Sequence, residues 1–322
     1  MIITRTPMRI SFTGGGTDIR DFYQVNGGAV VSMAIDKYVY ITVNTKFDRS
    51  IRVSYSKTEI VNTLDEVQHE LVRECMKRTG VTDGVEITSI ADIPSGTGLG
   101  SSSAFTVGVL NALYSYRGER LSSVQLAEAA CDIEINVLKH PIGKQDQYAA
   151  ANGGLNCIRF FPDETVRMDK ILLSEDDMRK MRRKLMLFYT GITRSADVIL
   201  QEQKKNTAQK MDSLRFMKEQ ALEMYSGLTA GGFTADFARA LHRGWEKKRE
   251  LAGTITNAEI NRLYDKAMAA GASGGKLLGA GGGGFLLFYC DEVYQQDVRD
   301  AIGLRQMDFA PDTYGSKVIF FA

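Results

Sequence analysis

Histidine is scarce in this chain, and cysteine is hardly more common. Only three of 322 residues are histidine (His69, His140 and His242), in unrelated contexts, so imidazole-based metal chemistry or a histidine-assisted nucleophile has little to build on. The four cysteines, Cys75, Cys131, Cys157 and Cys290, are scattered and form no CxxC pair. That argues against a disulfide framework or a structural zinc site, and predicts buried free thiols in a reducing cytoplasm. Long apolar runs are missing as well. The most apolar late segment, 285–290, is far shorter than the roughly 20 residues a membrane-crossing helix needs. The opening MIITRTPMRISF has no secretory signal pattern. Nor is there an excess of one charge: 40 Lys+Arg against 39 Asp+Glu leave a formal net charge of +1. Neither nucleic acid nor an anionic membrane surface is therefore an expected partner, and oligomeric state is left open.

What is present is ordinary globular material, 44% hydrophobic and 25% charged, with enough length for about two domains. The first 60 residues read mainly as strands, most clearly 29–43, which is rich in β-branched and aromatic residues. Residues 64–79, 104–116 and 122–138 carry helical spacing, with short strands at 85–90 and 155–161. The polar stretch 162–184 is the expected boundary between an N-terminal domain, 1–165, and a C-terminal domain, 166–322. Beyond it come a strand at 185–189, helical regions at 195–224, 234–251 and 257–270, and a strand–helix–strand tail at 284–289, 291–302 and 316–321. Strands and helices mix without a regular βαβ beat, which predicts an α+β fold.

Three glycine clusters interrupt these elements: Gly14-Gly15-Gly16, residues 94–104 (PSGTGLGSSSA) and residues 279–284 (GAGGGG). The middle one joins an expected strand to an expected helix. There Gly96, Gly98 and Gly100 can take positive φ while Ser101, Ser102 and Ser103 enter the helix. The unpaired amides and positive dipole of a helix start suit a phosphate. The hydroxyls can cap the helix, touch phosphate oxygens or ligate Mg²⁺. A Walker loop is absent, since Gly275-Lys276 is followed by Leu277. Gly279, Gly281 and Gly284 fit GxGxxG but precede an apolar strand, not a helix, so the dinucleotide context fails.

These segments resemble the GHMP kinases. Residues 7–18 (PMRISFTGGGTD), 94–104 and 276–285 (KLLGAGGGGF) match the family's motifs in order, and Gly143-Lys144-Gln145-Asp146 matches its Gly-x-x-Asp turn. Within the family, the segments RTPMRISFTGGGTDIRDFY, PIGKQDQYAA and GGKLLGAGGGGFLLF are more similar to the branch acting on D-glycero-D-manno-heptose 7-phosphate than to galactokinases. The resemblance implies a two-domain fold of mixed sheets packed with helices, with the active site between the domains. It implies transfer of the ATP γ-phosphoryl group, with Mg²⁺, to the anomeric hydroxyl of the heptose phosphate, for nucleotide-activated heptose and polysaccharide synthesis.

On the same resemblance, Pro94, Gly96, Gly98, Leu99, Gly100, Ser101, Ser102 and Ser103 hold ATP. Ser102, with Ser101 as its alternative, and Glu134 hold Mg²⁺, a hard cation that prefers oxygen. Asp146 receives the acceptor's proton, and Arg9 beside it offsets charge on the transferred group. Arg9 would also lower the basicity of Asp146, a cost the loose transition state tolerates. Asp18, with Thr17, Gly15 and Gly16, meets sugar hydroxyls. Lys144 and Arg194 are candidates for the sugar's own phosphate, Gly281 and Gly282 lie close to substrate, and Lys276 either lends charge or is solvated. The competing readings are a kinase for galactose or fucose, a non-catalytic binding member of the fold, and a dehydrogenase.

Overall fold

The computed structural model describes residues 1–192 and 210–322. Strand β1 (Ile2–Thr13) explains much of the architecture. Over its first four residues buried and half-buried positions alternate, as at a half-covered sheet; from Thr6 to Thr13 every position is buried. Helices α3 (Ser101–Tyr116) and α5 (Gln145–Asn152) cover it from the first half of the chain, and α7 (Met211–Gly231) and α8 (Ala235–Arg249) from the second. A strand covered by both halves must bury even its polar side chains, and Arg9 and Ser11 are among them.

β1 pairs antiparallel with the 18-residue β2 (Gly28–Thr45), which splits its partners. Its first part pairs with β6 (Leu155–Phe160), and its second with β5 (Val85–Ala91). β5 continues to β3 (Ile51–Ser54), the parallel pair of the sheet, and then β4 (Thr58–Val61). A second, three-stranded sheet has the order β8 (Leu185–Tyr189), β10 (Phe285–Cys290), β9 (Ala272–Leu277). Its helices, α8 and α9 (Ala258–Ala269), start at Thr234 and Asn257, whose side chains accept first-turn amides. The architecture is α+β, as expected, and its buried apolar residues form two clusters, the larger of which draws on both halves of the chain. The four cysteines are buried and unpaired. Among the described residues no helix is long and apolar enough to cross a membrane.

Several expected elements differ. The stretch 64–79 is not one helix. Thr63 and Glu66 close a capping box on a short 3₁₀ turn, Val67 is extended, and α2 begins at Glu70 (Glu70–Thr79). The stretch 122–138 begins as α4 (Ser123–Cys131) but widens into a π-helical turn over Asp132–Val137. The polar stretch 162–184 holds strand β7 (Val166–Lys170) and helix α6 (Glu175–Lys184), whose three acidic residues in the first turn and three basic residues in the last suit the helix dipole. β7 pairs with β6, and the last strand, β11 (Lys317–Phe321), pairs with β1. The first sheet therefore includes strands from both sides of residue 165, and one of its edges is formed by residues 317–321.

Candidate active site

The loop before α3 turns three times through the left-handed region, at Gly96 (φ 75°), Gly98 (φ 83°) and Gly100 (φ 73°). Gly100 is the N-cap, so the helix's first turn begins with Ser101, Ser102 and Ser103. These three serines border a cavity of about 360 Å³, as do the three glycines. First-turn amides lack acceptors within their own helix, so this wall offers donors and a partial positive charge to an anion. Leu99 does not border the cavity. Its side chain is in the core and its carbonyl accepts the Arg9 amide at 2.9 Å, which registers the loop on β1. Pro94 is also outside, its carbonyl accepting the Thr97 hydroxyl at 3.0 Å.

Arg9 reaches the cavity from β1 and Asp146 from the first turn of α5. The guanidinium grips the carboxylate in bidentate fashion, Nε to Oδ1 and Nη2 to Oδ2, both at 2.8 Å. Its third nitrogen donates to the Gly98 carbonyl at 2.7 Å, which ties the pair to the glycine loop. Such a fork fixes the orientation of the carboxylate as well as its charge. Gly100 lies so close that a Cβ there would come within 3.3 Å of Arg9 Cγ and Asp146 Oδ2.

Asp18 is buried on the same cavity and accepts the amides of Gly16 (3.0 Å) and Gln145 (3.2 Å). Burial and, after it, the charge of Asp146 push its carboxyl above the ordinary range. Gly143 leaves room for it, since a Cβ there would come 2.0 Å from Asp18 Oδ2. Gly15 and Gly16 border the cavity beside it. Two buried acceptor atoms on the same walls, Ser11 Oγ and Gln145 Oε1, have no hydrogen-bond partner among the described residues. Unpaired polar atoms around a carboxylate suit a polyhydroxylated ligand.

Glu134 is fully buried in the π-helical turn, and burial pushes its carboxyl up to about 7. One oxygen accepts the Ser103 hydroxyl at 3.0 Å; the other, Oε1, has no close hydrogen bond among the described residues, although the side chains of Thr106 and Gln147 lie beside the carboxylate. The hydroxyl in contact with Glu134 is thus that of Ser103, while Ser102 is exposed on the cavity side of the same turn. The wide turn was not legible as such, although such turns are frequent at functional sites and this one carries a candidate site carboxylate.

Other expected residues face elsewhere. The Thr17 hydroxyl is spent on Ala29, donating to its carbonyl at 2.9 Å and accepting its amide at 3.1 Å. Lys144 pairs with Glu164 at 2.5 Å over the Tyr23 ring and does not border the cavity. Gly281 and Gly282 are not in its walls either; they pack on Ile255, whose carbonyl accepts the Gly282 amide at 2.8 Å. Arg194 lies outside the described residues. Lys276 is neither solvated nor at a helix end. It is buried in β9 and donates across to the Ser11 and Phe12 carbonyls at 2.8 and 2.7 Å. Lys248, which sequence reasoning missed, borders the cavity from α8. The signal was there, because it continues the apolar stripe of Ala238, Leu241 and Trp245.

Comparison with known proteins identifies the family of the chain. Residues 64–154 match the GHMP kinases N terminal domain and residues 224–307 the GHMP kinases C terminal, together more than half of the chain. The chain is 29% identical over 325 residues to the D-glycero-alpha-D-manno-heptose 7-phosphate kinase of Campylobacter jejuni, covering 95% of this chain and 94% of that protein. It is 28% identical to the L-fucokinase/L-fucose-1-P guanylyltransferase of Bacteroides fragilis, covering 94% of this chain but 35% of that protein. Among solved structures, a D-glycero-D-manno-heptose 1-phosphate kinase from Bacteriodes thetaiotaomicron superposes with a TM-score of 0.83 over the full length of both chains, at 23% identity, and supports the fold.

Proposed function

Because the chain belongs to the GHMP kinase family and is an ATP-dependent kinase of a sugar hydroxyl, we propose that its acceptor is D-glycero-D-manno-heptose 7-phosphate, phosphorylated at the anomeric hydroxyl to the 1,7-bisphosphate for nucleotide-activated heptose synthesis. The choice of heptose rests on the similarity to the Campylobacter enzyme. The observation that carries the mechanism is the meeting, in one cavity, of the α3 N-terminus, the Arg9–Asp146 pair and the buried Asp18.

The first-turn amides and serine hydroxyls of α3 take the polyphosphate. Asp146, held by Arg9, faces the acceptor hydroxyl and accepts its proton as the new P–O bond forms. Phosphoryl transfer passes through a loose transition state with charge spread over the equatorial oxygens, so positioning and neutralisation do most of the work. Arg9 supplies part of that charge. Asp18, Ser11 and Gln145 hold the sugar's hydroxyls, and the peptides of Gly15 and Gly16 let the ring come close.

The donor set also fits Mg²⁺. Glu134 has a buried oxygen with no close hydrogen bond among the described residues, and Ser102 and Ser103 present hydroxyls on the adjoining turn, all hard oxygen ligands. Bound there, the ion would neutralise phosphate oxygens. ATP dependence favours action in the cytoplasm. ADP release should be rapid with heptose 7-phosphate and slow with free galactose or fucose; turnover of unphosphorylated sugar alone would contradict the assignment.

A further inference from the structure

We propose that Lys248 is a phosphoryl-binding residue of this cavity, contributed by the second half of the chain; the proposal rests on the kinase reading above. A lysine on the buried stripe of a helix is costly, because its ammonium loses most of its hydration. Lys248 is only 5% exposed, yet it borders the cavity together with Asp18, Asp146 and Glu134. The other two cations there are already engaged. Arg9 is held by Asp146 and the Gly98 carbonyl, and Lys276 spans to two carbonyls of β1. Among the described residues Lys248 donates to one acceptor, the Gly279 carbonyl, while an ammonium has three donors.

Its position points to the class of ligand. Gly279 packs directly on the phosphate-binding loop, where a Cβ would come 2.3 Å from Gly98 Cα. Lys248 is therefore anchored one residue contact away from the loop that takes the polyphosphate. Burial and Arg9 hold its ammonium down at about 8, against the pull of Asp18 and Asp146. Lys276, from β9, lies near enough for the two lysines to repel each other. A phosphoryl dianion is the ligand that would relieve this crowding of cations, either the group in transfer or the ester phosphate of the acceptor.

Lys248→Met keeps the length and apolar packing of the side chain without the charge. It is expected to melt at or above the temperature of the unmodified protein and to lose about 100-fold in kcat/KM, the scale of one lost charge-stabilising donor. A fall in kcat with both KM values held would assign Lys248 to the transferred group. A rise in KM for heptose 7-phosphate alone would assign it to the ester phosphate. Lys248→Arg is expected to recover at least ten-fold of the loss. Kinetic constants within two-fold of the unmodified protein in Lys248→Met, or a Lys248→Arg as inactive as Lys248→Met, would overturn the proposal. Failure of the kinase reading would show separately, as no turnover by the unmodified protein with any sugar. Calorimetry with inorganic pyrophosphate would then decide, with binding at least ten-fold weaker in Lys248→Met expected and equal binding contradicting the role.

Discussion

The two larger glycine clusters look alike in sequence and do different work. In the loop before α3, Gly96, Gly98 and Gly100 turn the chain so that amides and hydroxyls face a cavity. In 279–284 the glycines mainly let backbone meet backbone. A Cβ at Gly284 would come 2.2 Å from the Thr97 carbonyl oxygen, and one at Gly281 2.7 Å from Ile255 Cα. The first loop turns its helix start toward the cavity, whereas the second, which borders the cavity only at Gly279 and Ala280, is mainly packed against the first loop and Ile255. A glycine run thus signals close approach, and what lies within reach of the missing Cβ says of what.

That contrast can be broken or sharpened by experiment. The first loop's partners should lose activity before stability. Asp146→Asn is expected to reduce turnover by about 1,000-fold, within the range for losing a positioned proton acceptor, while the protein stays folded with a lower melting temperature because the buried Arg9 loses its counter-charge. Near-normal turnover would remove Asp146 from the chemistry. The second loop should fail in the opposite order. Gly279→Ala forces a Cβ against Gly98 at a left-handed φ of 73°, and should destabilise the protein by about 3 kcal/mol in denaturant unfolding. A variant with full stability would mean that the loops are not pressed together.

Smaller effects should appear at the proposed metal ligands. Ser103→Ala removes the closest hydroxyl donor to Glu134 and should raise the Mg²⁺ concentration for half-maximal rate about ten-fold, the scale of one charged hydrogen bond. The carboxyl of Glu134, held up near 7 by burial, has a sign that can be checked. Between the ordinary carboxyl range and about 7 the folded protein binds the extra proton, so without metal its contribution to stability should fall as pH rises through this window. Metal binding displaces that proton, so apparent Mg²⁺ affinity should weaken as pH drops below about 7. Titrations in Glu134→Gln should lose this dependence; a pH-independent affinity in the unmodified protein would contradict the assignment.

That Arg9, Asp18, Asp146 and the loop before α3 would share one cavity was legible because each belongs to a motif whose spacing fixes its backbone. Motif membership did not reveal which way a neighbouring side chain points. Thr17 and Lys144 sit beside residues that border the cavity yet turn to Ala29 and Glu164. Composition misled elsewhere. Helix α6 has a single buried residue, Met181, and reads as a solvated linker. Strand β9 contains Gly274 and Gly275, poor strand formers, because α8 comes so close that a Cβ on Gly274 would meet the Ala238 carbonyl oxygen at 2.1 Å. Lys248 was missed because a basic residue in the last turn of a helix has an ordinary explanation in the helix dipole.

The most direct test is a crystal structure with a non-hydrolysable ATP analogue and heptose 7-phosphate bound together. The account predicts the triphosphate on the amides of Ser101, Ser102 and Ser103, with the anomeric hydroxyl between Asp146 and the γ-phosphorus. A polyphosphate bound away from the α3 N-terminus, or a sugar out of reach of Asp146, would contradict it.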